Sequence, residues 1–267
     1  MRSLRLIPVC LCLCQISLAG QPLFRGAFQA FRASEGARLQ SPGEPVREVA
    51  AIGLPSMFGG RFQGAADGGE ELFLLGSNRI RLGFFGSGVF AVERFEQLLD
   101  DEAPGGSRMI ISLQRGEIVI DARDVSDGSQ VILESPVGRL SAGGDRFLMR
   151  LQFDERSGIF DFAIAVDSGA LRFTDRRGER YTIRSGQRLN GAGKSQAPAI
   201  EIGELREEDE GRSAYFDEVF EPVEARPFDI GAFRGAMVAM DLDAGEEAMP
   251  PEPATGEPAT GEAPILI

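Results

Sequence analysis

Residues 147–173 read FLMRLQFDERSGIFDFAIAVDSGALRF, and this stretch decides the fold class. Large apolar residues alternate with small or polar ones over most of its length, which is the period of two typical of β-strands. The pairs Ser157-Gly158 and Ser168-Gly169 interrupt the alternation, and Gly-containing pairs of this kind mark turns between strands. The stretch therefore predicts consecutive short β-strands joined by tight turns.

The same texture extends on both sides of this stretch, over residues 71–190. Short apolar runs recur roughly every 8–12 residues with turn signals between them, so a parallel α/β fold has no room for its connecting helices. We predict an all-β fold, an antiparallel sandwich or a solenoid-like fold of about ten to twelve short strands. One short helix is predicted at residues 92–101, because Phe95, Leu98 and Leu99 would share one helical face.

The N-terminus has the pattern of a secretory signal peptide. Arg2 and Arg5 precede the apolar stretch Leu6–Cys14, and Ser17 and Ala19 are small residues at the spacing that a signal peptidase reads. We expect cleavage after Ala19, export to the periplasm or the extracellular space, and no transmembrane segment in the mature chain. All three cysteines lie in the apolar stretch, so the mature chain could form no disulfide.

The texture of the sequence divides the chain into five parts. These are a signal peptide (1–19), an irregular lead-in (20–69), a β domain (70–190), a C-terminal extension partly packed on the β domain (191–240), and a disordered tail rich in Pro, Glu, Ala, Thr and Gly (241–267). In the lead-in, the spacing of Phe24, Phe28 and Phe31 suits one face of a short helix. In the extension, the charge run Glu204–Glu210 is expected to be a solvated loop or a mobile connection.

The composition excludes several kinds of chemistry. The chain has no histidine, and its cysteines leave with the signal peptide, so Ser-His-Asp triads, Cys-His pairs and the usual zinc sites are excluded. With 41 acidic against 28 basic residues, the chain would repel a nucleic acid. We expect no cofactor and no metal site, since the acidic groups at residues 121–127 and 241–243 lack the ligand pattern of a calcium loop.

One motif invites a catalytic interpretation. Asp167-Ser168-Gly169 follows the apolar run 162–166, as in aspartic proteases, where two aspartates share a proton to activate water. Because the chain has a single copy, such an enzyme would be a homodimer with Asp167 as its catalytic residue. A tight hairpin with Gly169 at positive φ explains the same residues, and we favour it.

Four segments, taken in their order along the chain, are similar to a known family. They are Glu134–Gly138, Gly144–Phe147, Ile164–Phe173 and Ser185–Leu189. With them, residues 117–189 resemble the FecR domain, the periplasmic part of bacterial regulators of iron uptake. The resemblance implies a Gly-centred hairpin at Asp167–Gly169 and no catalytic residues. The family usually has Gly-Thr where this chain has Gly144-Asp145.

The resemblance also has a limit. The regulators carry a sigma-factor-binding segment and a transmembrane helix before this domain, where this chain has the expected signal peptide, so we do not expect direct control of a sigma factor. We predict an exported, non-catalytic interaction or sensing domain that binds an envelope protein or polysaccharide through exposed strand edges and loops. A homodimeric acid protease using Asp167 and a structural β protein of the cell envelope stay open as alternatives.

Overall fold

The computed structural model describes residues 23–35, 37–40, 45–48, 61–63, 71–99, 104–224, 228–234 and 237–239. The strands of the lead-in are β1 (Leu23–Arg25), β2 (Phe28–Ala33), β3 (Arg38–Gln40), β4 (Arg47–Glu48) and β5 (Arg61–Gln63). The central strands are β6 (Glu71–Gly76), β7 (Arg81–Leu99), β8 (Pro104–Asp121), β9 (Gln130–Ser135), β10 (Gly138–Ala142), β11 (Arg146–Asp154) and β12 (Ile159–Ser168). The last elements are β13 (Ala170–Asp175), β14 (Arg180–Arg184), β15 (Gln187–Lys194), β16 (Ala197–Glu204), α1 (Glu207–Glu224), α2 (Gly231–Arg234) and β17 (Val238–Ala239).

The strands form two facing layers that share β8. Residues 108–112 of β8 pair in parallel with β9, and the first layer continues through β10 and β13 to β14. Residues 116–121 of β8 pair antiparallel with β11, and the second layer continues through β12 and β15 to β16. Apolar side chains of both layers pack in one common core. The all-β prediction is confirmed as a sandwich, with seventeen strands among the described residues.

The strands β7 and β8 form a long antiparallel hairpin that passes from one layer into the other. Residues 81–85 of β7 pair with β6, whereas residues 89–91 pair with β5, and the register with β8 shifts between Phe85 and Val89. The bend is possible because Gly116 has a φ of 106° and a Cβ atom there would lie 3.0 Å from the Cα atom of Gly88. Glycine therefore allows the two backbones to cross closely at the bend.

The predicted helix at residues 92–101 is wrong, because residues 92–99 belong to β7. A register shift between Val92 and Arg94 inserts an extra residue into the strand. This bulge turns Val92 and Phe95 toward the same core, which a regular strand would not do at a spacing of three. The bulge thus produces the spacing that resembles one face of a helix.

The helix predicted for the phenylalanines of the lead-in is also wrong, and the part called irregular supplies β1 to β5. Phe24 lies in β1, while Phe28 and Phe31 lie in β2, whose pairing with β6 shifts register between Ala30 and Arg32. Phe28 is buried in the common core, whereas the ring of Phe31 stacks on the ring of Phe220 in α1 at 5.7 Å. The two rings therefore pack in different apolar clusters, Phe28 in the common core and Phe31 against α1.

The charge run that was expected to be a solvated loop or a mobile connection leads directly into α1. Acidic residues at positions 207–210 occupy its first turn, where they interact favourably with the helix dipole. The Asp209 carboxylate also accepts a hydrogen bond of 3.2 Å from the backbone N–H of Arg206. The helix packs on the outer face of the second layer through a buried cluster: Phe73, Phe85, Val119, Leu148, Ala165, Phe216, Val219 and Phe220.

This helix makes the second layer apolar on both faces. In β11, Phe147 and Met149 point into the common core, while Leu148 points toward α1.

None of the described helices is long and apolar enough to span a bilayer. The predicted signal peptide (1–19) and the predicted disordered tail (241–267) lie outside the described residues.

Candidate functional site

A groove opens at one end of the sandwich, where the β11–β12 hairpin continues beyond the core. Phe153 and Phe160 are cross-strand partners in this hairpin, and they extend the inner-face rows that contain the buried Leu151 and Phe162. Unlike those buried neighbours, Phe153 is 45% exposed. The apolar inner face of the second layer is therefore partly open to solvent at this end.

The groove has a volume of about 600 Å³, which is within the usual size of a ligand site. Its lining comes from β3, the residue before β4, the β7–β8 bend, the β9–β10 turn and the β11–β12 hairpin: Arg38, Gln40, Val46, Val89, Gln114, Arg115, Pro136, Phe153, Glu155 and Phe160. A second recess of about 600 Å³ shares Pro136 and Phe160 with it and is completed by Arg176, Arg177, Ser195 and Gln196. The two recesses therefore meet at these two shared residues and form one elongated surface.

The apolar part of the groove, called the notch below, is formed mainly by Phe153 and Phe160, whose rings contact each other. The rings of Phe153 and Phe160 are 4.5 Å apart between centroids and inclined at 34°, so each covers part of the other. Val46, which also lines the groove, is 50% exposed. Two of the three large apolar side chains that are strongly exposed in the described residues therefore lie here, and clustered exposed apolar surface marks an interaction site.

The charged part of the groove is dominated by arginine. Arg38 and Arg115 are exposed and form no ion pair with another described residue. Arg176 donates hydrogen bonds to the carbonyl oxygens of Ser135 and Pro136, which fastens the β9–β10 turn without neutralising the guanidinium. In the described part of the chain, the one acidic residue that lines the first recess is Glu155. The groove is thus locally basic in a chain whose net charge is −13.

Arg177, the other arginine of the second recess, differs because it is already paired. Its Nη2 atom lies 3.0 Å from a carboxylate oxygen of Asp175 and 3.0 Å from one of Glu179. The hydrogen bond that Arg177 donates to the Asp175 carboxylate is the main cause that raises the pKa of the Arg177 guanidinium. Arg177 therefore holds the β13–β14 turn, and its charge is largely compensated within that turn.

Asp167, the predicted alternative catalytic residue, lies away from the groove, on the side of the second layer that faces α1. Its Oδ2 atom is 3.2 Å from Nε of Arg146, and Nη1 of the same arginine is 2.7 Å from Oδ1 of Asp217. Arg146 is 2% exposed. The partner of the Asp167 carboxylate is thus a guanidinium rather than a second carboxylate that could share a proton, and this favours a structural role.

The turn at Asp167–Gly169 is a corner rather than the predicted hairpin. Gly169 has the expected positive φ of 91°. However, β12 pairs with β11 and β15, whereas β13 pairs with β10 and β14, so the chain crosses from one layer to the other at this glycine. The hairpin prediction fails because a positive φ permits a reversal of direction but does not select the strand that comes next.

Three of the four segments that resemble the FecR domain meet around this corner: Gly144–Phe147, Ile164–Phe173 and Ser185–Leu189. The Asp145 carboxylate accepts hydrogen bonds of 2.8 Å from the backbone N–H groups of both Gly143 and Ala170. The N–H of Ser185 donates to the carbonyl oxygen of Gly169 at 2.9 Å. The acid that stands where the family usually has threonine therefore joins two turns. Its role could not be found from sequence, because its second partner lies twenty-five residues away.

Of the acidic residues considered as calcium ligands, Asp121 and Asp124 are paired with arginines, while residues 241–243 lie outside the described residues. Arg123 donates to both carboxylate oxygens of Asp121 at 2.9 and 2.7 Å, and Nη2 of Arg81 lies 2.9 Å from Asp121 and 2.9 Å from Asp124. Burial acts to raise the pKa of Asp121, but its bonds with Arg123 and the charge of Arg81 hold that pKa below its ordinary value. In the described part of the chain, no group of three or more metal-ligating side chains is present.

A second exposed feature is the strand β16 at the edge of the second layer. Among the described strands it pairs with β15 alone. Ile202 in this strand is 40% exposed. An edge of this kind can accept a further strand through its free backbone groups.

No family model matches the chain, and no curated protein matches it. Among solved structures, two crystal structures of a candidate anti-sigma factor from Parabacteroides distasonis are similar. One has a TM-score of 0.41 and 9% identity, covering 59% of this chain and 65% of the other. The second has a TM-score of 0.42 and 10% identity, covering 57% and 63%. The match thus spans slightly less than two thirds of those proteins, and a similarity this distant does not transfer a function.

Proposed function

We propose that this protein is an exported, non-catalytic interaction or sensing domain of the FecR type that binds a protein or polysaccharide partner in the bacterial cell envelope. The observation that carries the proposal is the groove at the open end of the sandwich. There the notch formed by Phe153 and Phe160 lies beside the exposed Arg38 and Arg115. Binding of a partner would remove this apolar surface from water, which is the main driving force of association.

The lining of the groove supports binding rather than catalysis. General acid–base chemistry needs a pair of suitably placed proton donors and acceptors, and nucleophilic catalysis needs a hydroxyl or thiol beside a base. Glu155 has no second carboxylate beside it in the lining. The hydroxyl of Ser195 donates its hydrogen bond to the carbonyl oxygen of Pro136 and has no base next to it in the lining.

The predicted signal peptide supports the proposed location of the protein, and the resemblance to the FecR domain supports its proposed class. The turn at Ser135–Gly138 contributes Pro136 to both recesses of the groove, so a segment that carries the resemblance also shapes the candidate site. The expected export would place this groove in the cell envelope or outside it, where proteins and polysaccharides are available as partners.

The experiment that tests the proposal is a quantitative capture of envelope components by the mature protein. The wild type is compared with the double variant Phe153→Ser/Phe160→Ser and with the control Ile202→Ser, which removes an exposed apolar side chain from β16 instead. We expect a protein or polysaccharide whose recovery falls at least about tenfold with the groove variant and is unchanged with the control. Equal recovery by all three proteins, or no specific capture by the wild type, would contradict the proposal.

The free edge of β16 favours one alternative, a structural β protein that assembles edge to edge. Pairing two copies of β16 would, however, bring together the acidic residues Glu201 and Glu204 of both copies, and like charges across a strand pair are destabilising. Sedimentation velocity of the mature protein over a wide concentration range separates the two functions. We expect a monomer, whereas concentration-dependent polymers that Ile202→Ser abolishes would support the structural alternative.

A further inference from the structure

We infer that the ligand of the groove is an acidic peptide segment of a partner protein, anchored by one bulky apolar side chain. This inference rests on the binding role proposed above and names the partner class for the same site.

The first argument is charge complementarity. The first recess carries Arg38 and Arg115 against the single acid Glu155, and the second recess adds Arg176, which forms no ion pair with another described residue. The chain as a whole has a net charge of −13, so a basic groove contrasts with the rest of the molecule. Complementary charge steers a partner toward one site and suppresses wrong partners, and here it selects an anionic segment.

The second argument concerns the hydrogen bonds that Arg38 and Arg115 can donate. Arg38 and Arg115 form no ion pair with another described residue, so their guanidinium groups are available to a ligand. A guanidinium binds a carboxylate through two parallel hydrogen bonds, which are among the stronger polar contacts in proteins. The side chains of Asp and Glu therefore suit these positions.

The third argument separates a peptide from a sugar. Sugar rings stack on open aromatic faces, but the rings of Phe153 and Phe160 partly cover each other at 4.5 Å and 34°. Val89 and Pro136 line the same groove, so its apolar part offers a bulky side chain such as Leu or Phe a surface on which to pack. A buried apolar anchor in a pocket with arginine nearby is the usual centre of a protein–protein contact.

The fourth argument is length. The two recesses meet at Pro136 and Phe160, so a ligand anchored at the notch can continue in either direction. The exposed amides of Gln40 in the first recess and Gln196 in the second are able to donate to and accept from a peptide backbone. An extended segment would use both recesses, whereas a small anion would occupy only one.

The test measures binding of synthetic peptides to the full mature chain by fluorescence anisotropy. The probe is a labelled peptide of about twelve residues with a central Phe and two Glu on each side, and its controls replace every Glu by Gln, every Glu by Lys, or the Phe by Ser. Replacing every Glu by Gln or raising the salt from about 0.05 to 0.5 M is expected to weaken binding about tenfold, because the first change removes and the second screens the charge attraction.

Variants of the protein locate the site. Arg115→Gln and Phe153→Ser are each expected to weaken binding of the acidic probe about fivefold or more. The control Arg172→Gln removes the same charge from an exposed position in β13 that lines a different recess, and it should bind as the wild type does. Thermal unfolding by circular dichroism shows whether each variant is folded.

Three results would overturn the inference: equal binding of the Gln and Glu peptides, preference for the Lys peptide, or an equal effect of Arg172→Gln and Arg115→Gln. These differ from failure of the proposed function. If envelope capture depends on Phe153 and Phe160 but the captured partner is a polysaccharide, the peptide inference fails while the binding function stands. If no groove-dependent partner is captured, the proposed function itself fails.

Discussion

The Nη1 atom of Arg146 in β11 lies 2.7 Å from Oδ1 of Asp217 in α1, and this ion pair joins the helix to the sandwich. Arg146 also donates to the carbonyl oxygen of Ser213 at 2.6 Å, and its guanidinium lies over the ring of Phe216 at 5.4 Å. The arginine is buried, whereas the Asp217 side chain is 51% exposed. A single side chain of the sheet therefore holds the helix by charge, hydrogen bonding and packing together.

We expect Arg146→Met to lower the free energy of unfolding by about 1–3 kcal/mol. The loss stays in this range because Asp217 and Asp167 can return to water when the guanidinium is removed, so no buried charge is left alone. Urea unfolding of the two proteins measures the difference. Arg139→Met is the control, since Arg139 is half-exposed and its contact with Glu134 is 3.9 Å long. A cost for Arg139→Met as large as that for Arg146→Met would contradict the assignment.

The carboxylate of Asp145 is predicted to stabilise the corner between the layers. Asp145→Ala leaves the N–H groups of Gly143 and Ala170 without their acceptor, which is expected to cost about 1–3 kcal/mol. Asp145→Asn keeps one acceptor oxygen, so its cost should be clearly smaller. Thermal and urea unfolding compare the three proteins, and equal stability of the Ala and Asn variants would show that the two bonds do not hold the corner.

The bend of the β7–β8 hairpin should not tolerate a side chain at Gly116. Gly116→Ala combines an unfavourable positive φ with a Cβ atom 3.0 Å from the Cα of Gly88, so we expect a loss of about 2–4 kcal/mol. Gly128→Ala is the matched control, because its φ is 80° but nothing lies within 4 Å of the added Cβ. Its loss should be about 1 kcal/mol. Equal losses in urea unfolding would mean that the close approach of the backbones is unimportant.

The buried Asp121 is predicted to contribute a pH-dependent part of the stability. Its pKa is lowered in the folded protein, so it binds a proton more readily when unfolded. Its contribution is therefore fully present above its unfolded pKa of about 4 and is lost as the pH falls through the lower folded pKa. The urea concentration at the midpoint of unfolding should decrease as the pH is lowered from about 5 to about 2. In Asp121→Asn this decrease should be smaller. An unchanged pH dependence in that variant would rule out Asp121 as its source.

The strands of residues 147–173 could be predicted because alternation is local: each strand exposes its own period of two in its own sequence. Turn glycines such as Gly158 and Gly169 were predictable for the same reason. The bulge after Val92 was not, because an inserted residue imitates a helical spacing until the partner strand is known. The helix α1 was missed because its first turn is a run of acidic residues, which in sequence is typical of a solvated loop. The arginines of the sheet that pair with these acids, Arg150 and Arg188, are known only from the structure.

The sequence by itself determined the all-β class and most of the strands in residues 71–190. It also excluded the catalytic and zinc sites that require histidine. Only the tertiary structure decided that Asp167 lies beside Arg146 and that Arg38, Arg115, Pro136 and Phe160 line one groove. The physical reason is that alternation reports which residues avoid water along one strand. It carries no information about which strands become neighbours, and the site consists of contacts between segments far apart in the chain.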